Sequence, residues 1–214
     1  MEVFMKPYYE HAGITIYHGD CREVLPTLPP CDLVLTDPPY GVNKADWDSG
    51  FSWDWLSQCA AISKTVAVMP GISNLVEMPK FAGLLPYRWT LSILIANGMT
   101  RGAFGFGNWI PCMVYSSESL HQKMQDATQI VIRGDMPEHP CPKPMDAMLW
   151  LIERLPWGSV LDPFCGSGST LLAAKKGGRD AIGIEIEEKY CEIAAKRLSQ
   201  EVFDFALDTQ KAGE

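Results

Sequence analysis

Twice in this chain a short apolar run stops at an Asp-Pro step. Leu33-Val34-Leu35 passes through Thr36 into Asp37-Pro38-Pro39-Tyr40, and Val160-Leu161 passes into Asp162-Pro163-Phe164-Cys165-Gly166-Ser167-Gly168-Ser169. Wholly apolar runs of this length suit parallel strands covered on both faces. In an open parallel sheet, ligands bind beyond the carboxyl ends of strands, where the chain turns into helices. Both boxes therefore fall where an α/β protein keeps its chemistry.

The remaining pattern agrees. Ile14-Thr15-Ile16-Tyr17, Thr65-Val66-Ala67-Val68-Met69, Trp89 to Ile95, Cys112 to Tyr115 and Ala181-Ile182-Gly183-Ile184 read as further strands, most of them closed by Gly, Pro or Asp. Between them, Ser52 to Ile62 fits a helix. Met145, Met148, Leu149, Ile152 and Leu155 recur at three and four residues, as do Tyr190, Ile193, Ala194 and Leu198. Thr170 to Lys176 reads as a helix stopped by Gly177-Gly178, with Lys175 and Lys176 at its negative end. Strands alternating with helices predict a mainly parallel sheet. The 214 residues read as one domain, 1–214, large enough to bury roughly 70% of its unfolded surface without disulfides or metal.

Composition narrows the function classes. The run Met1 to Tyr9 has no continuous apolar segment, and no stretch approaches the ~18 apolar residues of a membrane span, so the expectation is a cytoplasmic protein without a membrane partner. Seven cysteines with no CxxC and no Cys/His pair at zinc spacing predict reduced, buried thiols and no metal. His139 and Cys141 form the one hint of a ligand pair, and the prolines and Lys143 around them fit another motif better. The net charge of −8 argues against nucleic acid. Yet residues 88–143 carry five basic and four acidic side chains, so the acidity lies outside the middle segment.

The glycine turn 166–168 removes side chains where a ligand meets backbone closely, and the helix after it offers unpaired N–H groups. Such turns serve nucleotides and plain structure alike. Glu185, the first polar residue after the strand 181–184, is positioned to accept hydrogen bonds from ribose hydroxyls; a solvated strand-end glutamate is the bland alternative, given Glu187 and Glu188 beside it.

Taken together and in this order, Asp37-Pro38-Pro39-Tyr40 and Asp162-Pro163-Phe164-Cys165-Gly166-Ser167-Gly168 resemble the signature of DNA amino-methyltransferases of the beta group, across most of residues 13–200. The resemblance implies a methyltransferase-type, Rossmann-like three-layer sandwich with a circularly permuted motif order and a mainly parallel seven-stranded sheet holding one antiparallel strand. It implies S-adenosyl-L-methionine as cofactor, held by Asp20, Cys21, Lys143, Asp162, Phe164, Gly166, Ser167, Gly168, Ser169 and Glu185. Lys143 comes from His139-Pro140-Cys141-Pro142-Lys143-Pro144, which is similar to the family's HP..KP box but has Cys-Pro where Thr-Gln is usual.

The implied chemistry sits on Asp37, Pro38, Pro39 and Tyr40. An exocyclic amine of adenine or cytosine is a poor nucleophile because its lone pair is delocalised into the ring. Asp37 and the Pro38 carbonyl can take its two hydrogens, the prolines stiffen the turn, and Tyr40 offers a face for the base. The base must leave the duplex for this to happen. Double-stranded DNA is the expected partner, met by Lys44, Trp47, Arg101, Lys123 and Arg133, with a short target-recognition segment at about 97–138 and a homodimer as one way to enlarge it. Asp at position 37 leans toward adenine-N6 in this family. Cytosine-N4 transfer, an RNA amine acceptor, and a catalytically silent subunit of the same fold stand as alternatives.

Overall fold

The apolar runs become strands because each alternates its side chains into two separate cores. The computed structural model describes residues 6–40, 52–96, 100–102, 105–120, 125–128, 131 and 143–200. Its main sheet contains β1 (Tyr9–His11), β2 (Ile14–His18), β3 (Leu33–Thr36), β4 (Thr65–Val68), β5 (Tyr87–Leu94), β8 (Trp109–Ser116), β9 (Val160–Asp162) and β10 (Ala181–Glu185), while β6 (Thr100–Gly102) and β7 (Gly105–Gly107) form a separate ribbon. The helices are α1 (Cys21–Val24), α2 (Trp55–Ile62), α3 (Met145–Arg154), α4 (Ser169–Lys176) and α5 (Glu188–Ser199).

On β3, Leu33 and Leu35 face a core shared with Ala147, Met148 and Leu151 of α3, Leu171 and Ala174 of α4 and Ala194 and Leu198 of α5. Val34 faces the opposite core, with Val24 of α1 and Trp55, Leu56 and Cys59 of α2. All three β3 side chains are fully buried, each contributing about 1.5–3 kcal/mol of apolar burial. The result is three layers, with helices on both faces of the sheet, as expected.

The strand order is β1-β2-β10-β9-β3-β4-β8-β5. Strands β2, β10, β9, β3 and β4 run parallel, and β8 runs antiparallel between β4 and β5. The sheet has one strand more than the expected seven. The extra member is β1, an edge strand antiparallel to β2, whose three residues Tyr-Glu-His carry no apolar alternation from which to predict it. From β9 the chain continues through α4 to β10 on one side; from β3 it continues through α2 to β4 on the other. The winding direction therefore reverses between the neighbours β9 and β3, and a crevice opens beyond their carboxyl ends.

The far end of β9 is fastened by Arg179, which is only 4% exposed. Its guanidinium donates to the carbonyls of Ile152 at 3.1 Å, Pro156 at 2.6 Å and Gly158 at 2.6 Å, closing the connection from α3 into β9. Arg179→Met is expected to leave these carbonyls unpartnered and to destabilise the fold by about 3 kcal/mol or more, read as a lowered urea midpoint. An unchanged midpoint would show that water replaces the guanidinium without loss.

Candidate active site

At the carboxyl ends of β3 and β9 one hydrogen bond joins the two sequence boxes. Thr36 ends β3, and its hydroxyl donates to Asp162 Oδ1, at the end of β9, at 2.7 Å. The Phe164 amide donates to the same oxygen at 3.1 Å. Asp162 is 2% exposed. Burial pushes its pKa up to about 6, against the opposing effect of hydrogen bonds from Thr170, Thr36 and Phe164.

One residue beyond Thr36 the Asp37-Pro38-Pro39-Tyr40 turn begins. The Tyr40 hydroxyl donates to Asp37 Oδ1 at 2.6 Å, and the Lys143 ammonium pairs with Asp37 Oδ2. Lys143 also lies 5.9 Å from the centre of the Tyr40 ring. From the end of β4, Asn74 donates its side-chain amide to the carbonyls of Tyr40 and Pro70, each at 3.0 Å. Gly71 stands at φ +74, and a Cβ there would lie 3.2 Å from the Tyr40 ring, so glycine lets the β4 turn close against that ring. Pro38 is buried and Pro39 partly so.

The glycine turn is fixed by its packing against α5. Gly168 caps α4 at φ +79, and a Cβ there would meet Ala194 Cβ of α5 at 2.9 Å. Helix packing and backbone conformation both require glycine here. Arg197 of α5 donates to the Ser167 carbonyl, to its hydroxyl at 3.2 Å and to the Ser169 hydroxyl at 3.4 Å. The serine hydroxyls thus face α5. Phe164 packs edge-on against Trp55 with ring centres 4.9 Å apart.

Glu185, at the end of β10, is 9% exposed. Its carboxylate accepts from the amides of Gly166 at 2.9 Å and Glu187 at 2.8 Å. Burial raises its pKa, against the lowering effect of these two backbone donors. It therefore ties the glycine turn to the neighbouring strand end. Two of a carboxylate's roughly four acceptor sites are used, leaving others for hydroxyl donors.

Asp20 caps α1, an element not expected from the sequence. Its carboxylate accepts from the Arg22 amide at 2.9 Å and from the Arg22 guanidinium, which holds it below the usual carboxylate range. Cys21 is buried in the core beside α2, and burial pushes its thiol up to about 12.

Of the DNA-facing candidates, Arg101 lies on β6, with its side chain outside the described residues. Lys44, Trp47, Lys123 and Arg133 also lie outside them, as do His139, Cys141 and parts of the segment 97–138. Sequence reasoning missed Thr36, Asn74 and Arg197. Thr36 had a legible signal, being the one hydroxyl in an otherwise apolar strand directly before Asp37. Asn74 and Arg197 had none, because their partners, carbonyls for Asn74 and a carbonyl and two serine hydroxyls for Arg197, are brought near only by the fold.

Residues 103–196 match the family model of N6/N4 methyltransferases, described as DNA methylase. The type II methyltransferase M2.LlaDCHI of Lactococcus lactis subsp. cremoris is 26% identical over 91% of this chain and 93% of its own. Among solved structures, the M1.HpyAVI–SAM complex superimposes with a TM-score of 0.72 at 23% identity, covering 86% of this chain and 99% of that one. The cytosine-N4-specific PvuII DNA methyltransferase does so at 0.73 and 18% identity, covering 91% and 89%. The fold is that of DNA methyltransferases, and the match to the DNA methylase family model falls on residues 103–196. Among the described residues no helix is long and apolar enough to cross a membrane.

Asp162 has a measurable consequence. Its folded pKa of about 6 lies above the unfolded value near 3.8, so its contribution to stability is full below pH ~4 and is lost as pH rises through about 6. Asp162→Asn keeps an oxygen to accept from Thr36 and Phe164 but does not titrate. Wild type should lose about 2–3 kcal/mol relative to this variant between pH 4 and 7, measured by urea unfolding at each pH. A stability difference that stays flat across that window would contradict the buried, ionising carboxylate.

Proposed function

We propose that this chain transfers a methyl group from S-adenosyl-L-methionine to the N6 amine of an adenine flipped out of double-stranded DNA. The observation that carries the reading is the meeting of the two boxes at the switch point between β3 and β9, with the Asp37 carboxylate and Tyr40 ring on one side of the crevice and Glu185 and the glycine turn on the other.

The residues present fit the cofactor. Glu185 keeps acceptor sites for ribose hydroxyls, and the amides at the start of α4 suit a carboxylate. Asp20 and Cys21 belong to the adenine end in this reading, with Asp162, Phe164, Ser167 and Ser169 shaping the turn from behind. Bound S-adenosyl-L-methionine supplies an electrophilic methyl group on a sulfonium. Asp37 and the Pro38 carbonyl accept the two amine hydrogens and draw the nitrogen toward tetrahedral geometry. The carboxylate then stabilises the positive charge that develops on that nitrogen, in a turn whose prolines require little reorganisation. Tyr40 stacks on the base. Its hydroxyl does more than the sequence indicated, since it anchors Asp37. Asp37 is the residue that favours adenine over cytosine. DNA contacts fall to Lys44, Trp47, Arg101, Lys123 and Arg133, within a single domain whose target-recognition segment is short and which gains surface as a homodimer.

Incubation with labelled S-adenosyl-L-methionine and duplex DNA, followed by nucleoside digestion, should yield N6-methyladenine. N4-methylcytosine would move the reading to the other amine, label in RNA alone would change the acceptor, and no label would favour a silent subunit. Asp37→Ala should lower turnover by about 10²-fold or more while calorimetry finds the affinity for S-adenosylhomocysteine unchanged. Near-normal turnover in that variant would remove Asp37 from the amine.

A further inference from the structure

We propose that Lys143 is a positioning residue for the catalytic carboxylate, its ammonium and the Tyr40 hydroxyl together clamping Asp37 in one orientation and staying in place while the target amine docks. This rests on the reading of Asp37 as the amine acceptor. It moves Lys143 from the cofactor, where the resemblance put it, to the acceptor side of the crevice.

The observations are geometric. Each oxygen of Asp37 has its own donor, Tyr40 on Oδ1 and Lys143 on Oδ2. The Lys143 side chain is 8% exposed, against 26% for Asp37. The lysine is therefore the enclosed member of the pair, and the carboxylate is the member that reaches the crevice. A lysine so enclosed cannot release its partner without leaving an ammonium desolvated and unpaired, which is strongly unfavourable. A carboxylate offers about four acceptor sites, so two donors can remain while an amine hydrogen takes another. The lysine backbone is also fixed. Pro144 follows it as the residue capping α3, and the Met148 amide donates to the Pro144 carbonyl at 3.2 Å. The ammonium thus projects from the start of a helix packed into the core, and Asp37 is aligned before the base arrives.

The arrangement also explains how the departure from the usual HP..KP box is tolerated. Cys141 and Pro142 replace two polar residues, but the lysine that meets Asp37 is retained.

The test compares Lys143→Met and Lys143→Arg with wild type in three measurements: single-turnover methyl transfer to duplex DNA, calorimetric affinity for S-adenosylhomocysteine, and urea unfolding in a double-mutant cycle with Asp37→Asn. Lys143→Met should lower the single-turnover rate by about 10²-fold, the scale of a 1 Å misplacement, with S-adenosylhomocysteine affinity within about twofold of wild type. Lys143→Arg, which keeps the charge, should recover part of the rate. The double variant Lys143→Met/Asp37→Asn should be more stable than the sum of its single changes indicates, because it removes both members of the buried pair. A tenfold loss of S-adenosylhomocysteine affinity with an unchanged rate at saturation would overturn the proposal in favour of a cofactor ligand. An unchanged rate with additive stabilities would overturn it too. Wild-type transfer alongside a fully active Lys143→Met variant sinks the role of Lys143 alone, whereas absence of transfer by wild type sinks the reading of Asp37 and this proposal with it.

Discussion

The hydrogen bond from Thr36 to Asp162 is the contact on which the site depends. It spans 126 positions of sequence and joins the last residue of β3 to the last residue of β9. Past these two residues the chain enters the Asp37 turn on one strand and the glycine turn on the other. Because Asp162 also accepts from Phe164, a single buried oxygen holds the start of both turns. A neutral acceptor would do the same structural work with a smaller desolvation cost. The carboxylate is instead a stronger acceptor held in a dry place, which ties the shape of the site to a group that titrates near pH 6.

Around this bond the crevice walls are set from outside. Asn74 and Gly71 bring the end of β4 against Tyr40, Arg197 brings α5 against the glycine turn, and Glu185 brings β10 against Gly166. The hydrogen bonds among them join a side chain to backbone, and Gly71 meets the Tyr40 ring through a missing Cβ. Such contacts restrain where a turn sits without prescribing what it binds. That division fits a fold this chain shares with the M1.HpyAVI and PvuII methyltransferases at only 23% and 18% identity.

The layered fold was legible because hydrophobic period and punctuation agreed. Leu33-Val34-Leu35, Val160-Leu161 and Ala181–Ile184 are each followed by a polar residue that ends the strand, and all three lie in strands of the central sheet. What was not legible is what short or polar segments do when long-range contacts decide. Strand β1 exists because β2 offers it an edge, and α1 because Asp20 caps it. The position of Asp37, Tyr40 and Glu185 at strand ends was legible from the apolar runs before them. The packing role of Gly168 was not, because its missing side chain makes room for Ala194, from a helix 26 positions away whose approach no local pattern records. Lys143 was found by its motif, and its pairing with Asp37 was not legible there, since the motif says which residues recur and not which carboxylate they meet.

The claim that one buried bond makes two turns into one site is tested most directly by amide hydrogen exchange on wild type and Thr36→Val, each with and without S-adenosylhomocysteine. In wild type the ligand should slow exchange both in the glycine turn, Phe164 to Ser169, and at the Asp37 and Tyr40 amides. In Thr36→Val the protection should persist in the glycine turn and be lost at Asp37 and Tyr40, because local openings of the two turns are no longer coupled. Equal protection of both turns in the variant would contradict the account and would assign their coupling to the surrounding packing instead.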